Sequence, residues 1–130
     1  PSEGVIISAD TVVIVDGEIL GKPVSAEDAC HMLQKLSGKM HKVVTGVSLV
    51  TRDKRISFSE VTEVFFRTLT ADQIQYYVQH YRPFDKAGAY GIQEWIGLVA
   101  IERINGSYTN VVGLSTEKLY NKLVELGIIT

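Results

Sequence analysis

The chain has 130 residues, a usual size for one domain, and its 45% hydrophobic and 22% charged residues exclude an intrinsically disordered chain. Thirteen basic and fifteen acidic residues leave a net charge of −2, with neither a basic footprint for nucleic acid nor an acidic tail. The single cysteine, Cys30, excludes an internal disulfide and suits a reducing compartment, and no apolar run reaches membrane-spanning length, so a soluble, cytoplasmic protein without a nucleic-acid or membrane partner is expected.

In chain order, residues 5–9 and 11–15 are rich in valine and isoleucine, the pattern of a strand buried on both faces. The chain does not open on methionine and enters this apolar run at once, so a preceding N-terminal segment is expected to be missing. Asp16-Gly17 is a two-residue hairpin signal. A helix follows Pro23, capped by Ser25 with Asp28 in the capping-box position, and its inner face is Ala26, Ala29, Cys30, Leu33 and Leu36, ending at Gly38. Val43–Thr51 and Ile56–Arg67 read as two long strands joined by a polar turn. Thr70 and Gln73 form a second capping box for a helix that buries Ile74, Tyr77, Val78 and Tyr81 and stops at Pro83.

After the glycine-rich stretch 84–91, Trp95–Ile104 and Ser107–Val112 flank Asn105-Gly106 and read as a hairpin. Gly113 ends that strand, and Ser115 caps a last helix whose inner face is Leu119, Leu123 and Leu126. Hairpins mixed with helical crossovers predict an α/β fold, a mixed β-sheet flanked by helices, with six or seven strands and three helices in one domain over residues 1–130.

Four segments carry candidate chemistry. Asp10, within Ser8-Ala9-Asp10-Thr11, interrupts a valine-rich run, where a carboxylate needs pairing, hydrogen bonds or a metal. A carboxylate at a strand end also binds backbone amides, and spacing alone does not separate the two readings. Asp85-Lys86-Ala87-Gly88-Ala89-Tyr90-Gly91 sets a potential metal or base ligand beside a phosphate partner, on a backbone that a ligand can approach closely. Taken alone, the pair is also an ordinary solvated turn. Gln93 presents a donor and an acceptor suited to a base edge, as well as to solvent. Lys22 precedes a helix N-terminus, a combination that attracts anions and equally describes a loop lysine. In Asn105–Asn110, only Ser107 and Asn110 add polar contacts to a turn. His31, His41 and His80 have no metal-ligand spacing and read as surface or packing groups, and Tyr76, Tyr77 and Tyr81 read as packing.

Five blocks in this order carry a resemblance: Ser8–Val13; Gly21-Lys22-Pro23; Leu36–Lys39 with His41 and Thr45; Asp85–Gln93; and Asn105–Tyr108 with Val111–Leu114. Together they resemble the Maf family of nucleoside triphosphate pyrophosphatases, related in structure to the inosine triphosphate pyrophosphatases. The resemblance runs from about Ser8 to the final helix. It implies hydrolysis of a nucleoside triphosphate between the α and β phosphates, to a monophosphate and pyrophosphate, with a divalent cation, Mg²⁺ or Mn²⁺. It implies that Asp10 is the catalytic base and touches the metal, and that Asp85 is a metal ligand or second carboxylate. Lys22 and Lys86 then hold phosphate oxygens, while Thr11 and Gln93 read the base and mark the dTTP and UTP subgroup. A homodimer is expected from the family.

Two departures stand out. The family's Ser-Pro-Arg-Arg-type phosphate loop is absent, as are a glutamate and a lysine upstream of Asp10, so the chain is expected to lack its N-terminal phosphate-loop segment and to be inactive by itself. The proline that usually follows Gly-Leu is Ser115 here, which suits an N-cap. The family's link to septum formation leaves a rival expectation, a nucleotide-binding regulatory module in cell division with little or no turnover.

Overall fold

The computed structural model describes residues 4–129; residues 1–3 and 130 of the expected domain lie outside the described residues. Strand β1 (Ile6–Val15) turns through Asp16-Gly17 into β2 (Glu18–Leu20), and α1 (Ala26–Leu36) follows. Strands β3 (Met40–Val50) and β4 (Arg55–Phe66) form a long hairpin, followed by α2 (Ala71–Tyr81) and a short 3-10 turn at Ala87–Ala89. Helix α3 (Trp95–Ala100), β5 (Ile101–Asn105), α4 (Tyr108–Val112) and α5 (Thr116–Glu125) complete the order. The strands form one sheet, β2-β1-β3-β4-β5, in which every pairing among the described residues is antiparallel. An α/β sheet flanked by helices is thus present, while the parallel pairing that a mixed sheet requires is absent among the described residues.

Alternation along the strands decides which face is covered. His41, Val43, Thr45, Val47 and Leu49 of β3 are buried, as are Thr62, Val64 and Phe66 of β4. This face joins α1, α2 and the 87–92 segment in one hydrophobic core, through Leu33, Leu36, Ile74, Tyr77, Val78 and Ile96. The opposite face carries Ser8, Asp10, Lys42, Gly46, Ser57 and Val61, none of them buried. The strand reading of 5–15 therefore needs correction. Residues 6–15 are one strand, and burial begins only at Val13, with Ile6 67% exposed. The apolar residues of its first half have no layer above them among the described residues, so they do not mark a strand buried on both faces.

The caps behave nearly as expected. Thr70 and Gln73 form the full reciprocal box on α2. Ser25 Oγ accepts from Asp28 N, but the Asp28 carboxylate accepts from Val24 N, one residue before the cap. On α1, Ala26 is exposed and Met32 takes its place in the core.

The largest difference lies at 95–112. The expected strand Trp95–Ile104 is a helix for its first six residues, because Ile96 and Ala100, four apart, fall on one buried face. A short apolar run fits helix and buried strand alike, so its composition could not decide. After the turn at Gly106, Ser107 caps α4 instead of opening a strand, its Oγ accepting from Asn110 N at 3.2 Å. On α5, Ser115 sits at the cap position but its hydroxyl makes no capping hydrogen bond, and Leu119, Leu123 and Leu126 are only half-buried.

Candidate active site

Where β1 emerges from under the helices, a cavity of about 390 Å³ opens between that strand, the 85–94 segment and the end of α4. Asp10 and Thr11 contribute from β1, Lys22 from the loop after β2, and Asp85, Lys86 and Gln93 from the segment after α2. All six residues singled out in the sequence thus line one cavity, although they come from three separate stretches of chain. Being neighbours in a strand, Asp10 and Thr11 point to opposite sides of the sheet. Asp10 accordingly also borders a shallow trough on the open face, with Ser8, Gly46, Ser48 and Ser57.

Backbone geometry brings the two lysines to the same cavity. Gly88 N donates to Gly21 O at 3.0 Å, joining the residue before Lys22 to the turn that carries Lys86. Gly88 has φ +69, and a Cβ there would lie 2.8 Å from Val13 Cγ2, so the turn rests directly on the strand. Lys86 Nζ stands 3.4 Å from Asp85 Oδ2, an exposed contact between sequence neighbours that leaves its charge available to a ligand. Gly91 sets the course of the Lys86 stem: a Cβ at 91 would fall 2.6 Å from Lys86 Cε and 2.9 Å from Glu94 Oε1.

Beneath this segment, Tyr77 OH accepts from Gly91 N at 3.0 Å and donates to Glu94 Oε1. Burial, reinforced by the hydrogen bond to Glu94, pushes the Tyr77 phenol well above its usual range, so it remains a donor. Tyr77 also packs, as its helical spacing implies, stacked on Tyr81 with ring centroids 5.1 Å apart. Glu94 was not singled out, although it directly follows Gln93, and it adds a third carboxylate to the lining. Tyr90 forms part of the floor. Its OH meets His41 Nε2 at 2.8 Å, and Phe66 stands edge-on to both rings. Burial lowers the His41 pKa to about 4, so this packing histidine is neutral near pH 7.

The remaining wall is Val111-Val112-Gly113. It is tied to the sheet by Asn110, fully buried, whose Nδ2 donates to Val43 O at 3.1 Å, Glu60 O at 3.2 Å and Thr62 Oγ1 at 2.9 Å. On the exposed side, Glu117 of α5 accepts from the Ser107 and Thr109 hydroxyls, which hold its carboxyl down at about 2. Thr11 Oγ1 lies 2.9 Å from Thr45 Oγ1 and 3.4 Å from Gly113 O. Asn110 appeared in the sequence only as a possible polar contact, because its partners are far away in the chain.

Among the described residues, no group of three or more His, Cys, Asp or Glu side chains is placed to hold a metal ion by itself. Two lysines, three carboxylates, a hydroxyl and an amide line the cavity, a set of groups suited to a charged ligand that also carries a polar ring. The chain belongs to the Maf family, whose model, described as Maf-like protein, matches residues 1–126. It is 55% identical over 124 residues to a Bacteroides fragilis protein curated as dTTP/UTP pyrophosphatase, covering 95% of this chain and 64% of that protein. Proteins of the same name from Phocaeicola vulgatus and Cytophaga hutchinsonii are 54% and 48% identical, over 93% and 95% of this chain and 63% and 57% of their own lengths. The chain therefore spans less than two thirds of the length of these relatives. No helix among the described residues is long and apolar enough to cross a membrane.

Proposed function

We propose that this chain forms the nucleotide site of a nucleoside triphosphate pyrophosphatase that takes dTTP and UTP and yields the monophosphate and pyrophosphate. The observation that carries the reading is the meeting of Asp10, Thr11, Lys22, Asp85, Lys86 and Gln93 in one cavity. The names of the relatives point to the same reaction and favour hydrolysis over a regulatory role in septum formation.

In this reading Asp10 takes the proton of the attacking water as it reaches the α phosphorus. Lys22 and Lys86 offset the negative charge of the phosphates, which grows on the pyrophosphate leaving group. Thr11 and Gln93 contact the pyrimidine. A divalent cation bound with the substrate would supply charge neutralisation and polarise the phosphoryl oxygens. Mg²⁺ and Mn²⁺ suit the oxygen donors here, and Mg²⁺ is commonly held by one or two carboxylates together with substrate phosphates. Asp85 and Asp10, both in the lining of the cavity, are the ligands proposed. A homodimer, a cytoplasmic location and the lack of a nucleic-acid or membrane partner belong to the same proposal, as does the single domain over 1–130.

The test is product analysis with UTP, dTTP and Mg²⁺ for this chain beside the full-length Bacteroides fragilis relative, each with its aspartate matching Asp10 changed to asparagine. The expected result is monophosphate plus pyrophosphate from the full-length relative, reduced about 10²–10⁴-fold by the change to asparagine, and nucleotide binding with little turnover by this chain. Full turnover in the asparagine variant of the relative would overturn the role of Asp10, and nucleotide binding without any pyrophosphate release by the relative would favour the regulatory reading.

A further inference from the structure

Thr45 is fully buried on β3, directly opposite Thr11 of β1 in the sheet register. Among the described residues, three contacts involve the two hydroxyls. Thr11 Oγ1 and Thr45 Oγ1 are 2.9 Å apart, Thr45 Oγ1 lies 3.4 Å from Asn110 O, and Thr11 Oγ1 lies 3.4 Å from Gly113 O. Each hydroxyl has one hydrogen, and the two carbonyls only accept. Two arrangements use both hydrogens and keep the short contact. In one, Thr11 donates to Thr45 and Thr45 to Asn110 O. In the other, Thr45 donates to Thr11 and Thr11 to Gly113 O. Both direct the Thr11 hydrogen into the protein, leaving the half-buried Thr11 oxygen with a lone pair for whatever occupies the cavity.

We propose that Thr45 is a positioning residue for base selection: it holds the Thr11 hydroxyl hydrogen inside the protein, so that Thr11 accepts from the base and favours uracil or thymine over cytosine. Uracil and thymine carry an N–H at position 3, whereas cytosine carries a lone pair there. A lone pair facing a lone pair costs a hydrogen bond, and a site built around one polarity rejects the other. The inference rests on Thr11 facing the base, as proposed above. Asn110 keeps the device in register, since its amide holds the turn bearing both carbonyls against β3 and β4.

The experiment is calorimetric titration of this chain with UTP and with CTP, without divalent cation so that turnover is suppressed, for the unchanged chain, Thr45→Val and Thr45→Ser. Valine keeps the shape and strand preference of threonine but removes the short contact at 2.9 Å, leaving only Gly113 O at 3.4 Å to compete with the ligand for the Thr11 hydrogen. The UTP-to-CTP affinity ratio is expected to fall about tenfold in Thr45→Val, the effect of one neutral hydrogen bond, and to be retained in Thr45→Ser. Thr45→Ala gives the same comparison if the valine chain does not fold. An unchanged ratio in Thr45→Val or Thr45→Ala, in a protein that does prefer UTP, overturns the role of Thr45 alone. If the unchanged chain binds both nucleotides equally, or neither, the base-facing reading of Thr11 fails and this inference fails with it.

Discussion

Gly91 is the position at which one missing side chain shapes the site most directly. A methyl group there would fall 2.6 Å from Lys86 Cε and 2.8 Å from Cδ. The lysine stem is flexible and would swing away, so Gly91→Ala is expected to leave stability within about 1 kcal/mol while raising the Kd for UTP about tenfold. Calorimetric titration beside urea unfolding checks both halves of that expectation. His41 illustrates the opposite case, a residue that acts on stability from beneath the site. It is 1% exposed, and burial lowers its pKa from an ordinary 6.5 to about 4. Between those values the unfolded chain binds a proton that the folded chain does not. Its contribution is therefore whole above pH 6.5, declines as the pH falls, and is lost below pH 4, a loss of about 3 kcal/mol. Urea unfolding at pH 7.0 and 4.5 should show most of that loss, and His41→Gln should flatten the difference. The Glu117 carboxyl, held at about 2 instead of 4.5 by the Ser107 and Thr109 hydroxyls, contributes above pH 4.5 and fades only as the pH falls toward 2. The two windows overlap little.

At the scale of elements, α4 decides the shape of the cavity, and it is the element whose type the sequence concealed. Five residues make a poor helix in isolation, and the Asn105-Gly106 pair before it is a strong hairpin signal. Tertiary anchoring prevails: Ser107 caps the helix, and Asn110 spends its amide on β3 and β4. Asn110→Ala would leave Val43 O, Glu60 O and Thr62 Oγ1 without that donor in a buried place, at a cost of about 2–4 kcal/mol. Because the wall Val111–Gly113 would loosen with it, UTP binding should weaken as well; thermal unfolding and calorimetry report the two effects separately. By contrast, α1 and α2 were legible in advance. Ser25 and Thr70 announce their starts, and both helices present an apolar stripe at helical spacing. The run 95–104 had neither a cap signal nor enough length, and it divides into α3 and β5 because Ile96 and Ala100 find the core while residues 101–105 find β4.

At the scale of the whole molecule, one face of the sheet carries the helices and the core, and the cavity lies where that cover stops along β1. UTP at a hundred times its Kd should raise the unfolding free energy by about 2.7 kcal/mol through binding to the folded chain alone, read as a concentration-dependent Tm, and a nucleotide-independent Tm would argue against a nucleotide site. The sequence by itself determined two long strands close to β3 and β4 and the capped starts of α1 and α2, local signals carried by neighbours within a turn or two of chain. Asp10, Thr11, Lys22, Asp85, Lys86 and Gln93 were joined in one pattern only by the family resemblance, since each alone also fits an ordinary turn or surface group. Only the tertiary structure decided that the six line a single cavity, that Gly21 and Gly88 bring the two lysines together, and that Tyr77, Glu94, Thr45 and Asn110 support them. A buried hydroxyl, phenol or amide is defined by the partner that satisfies it, and here those partners lie 14 to 102 residues away along the chain.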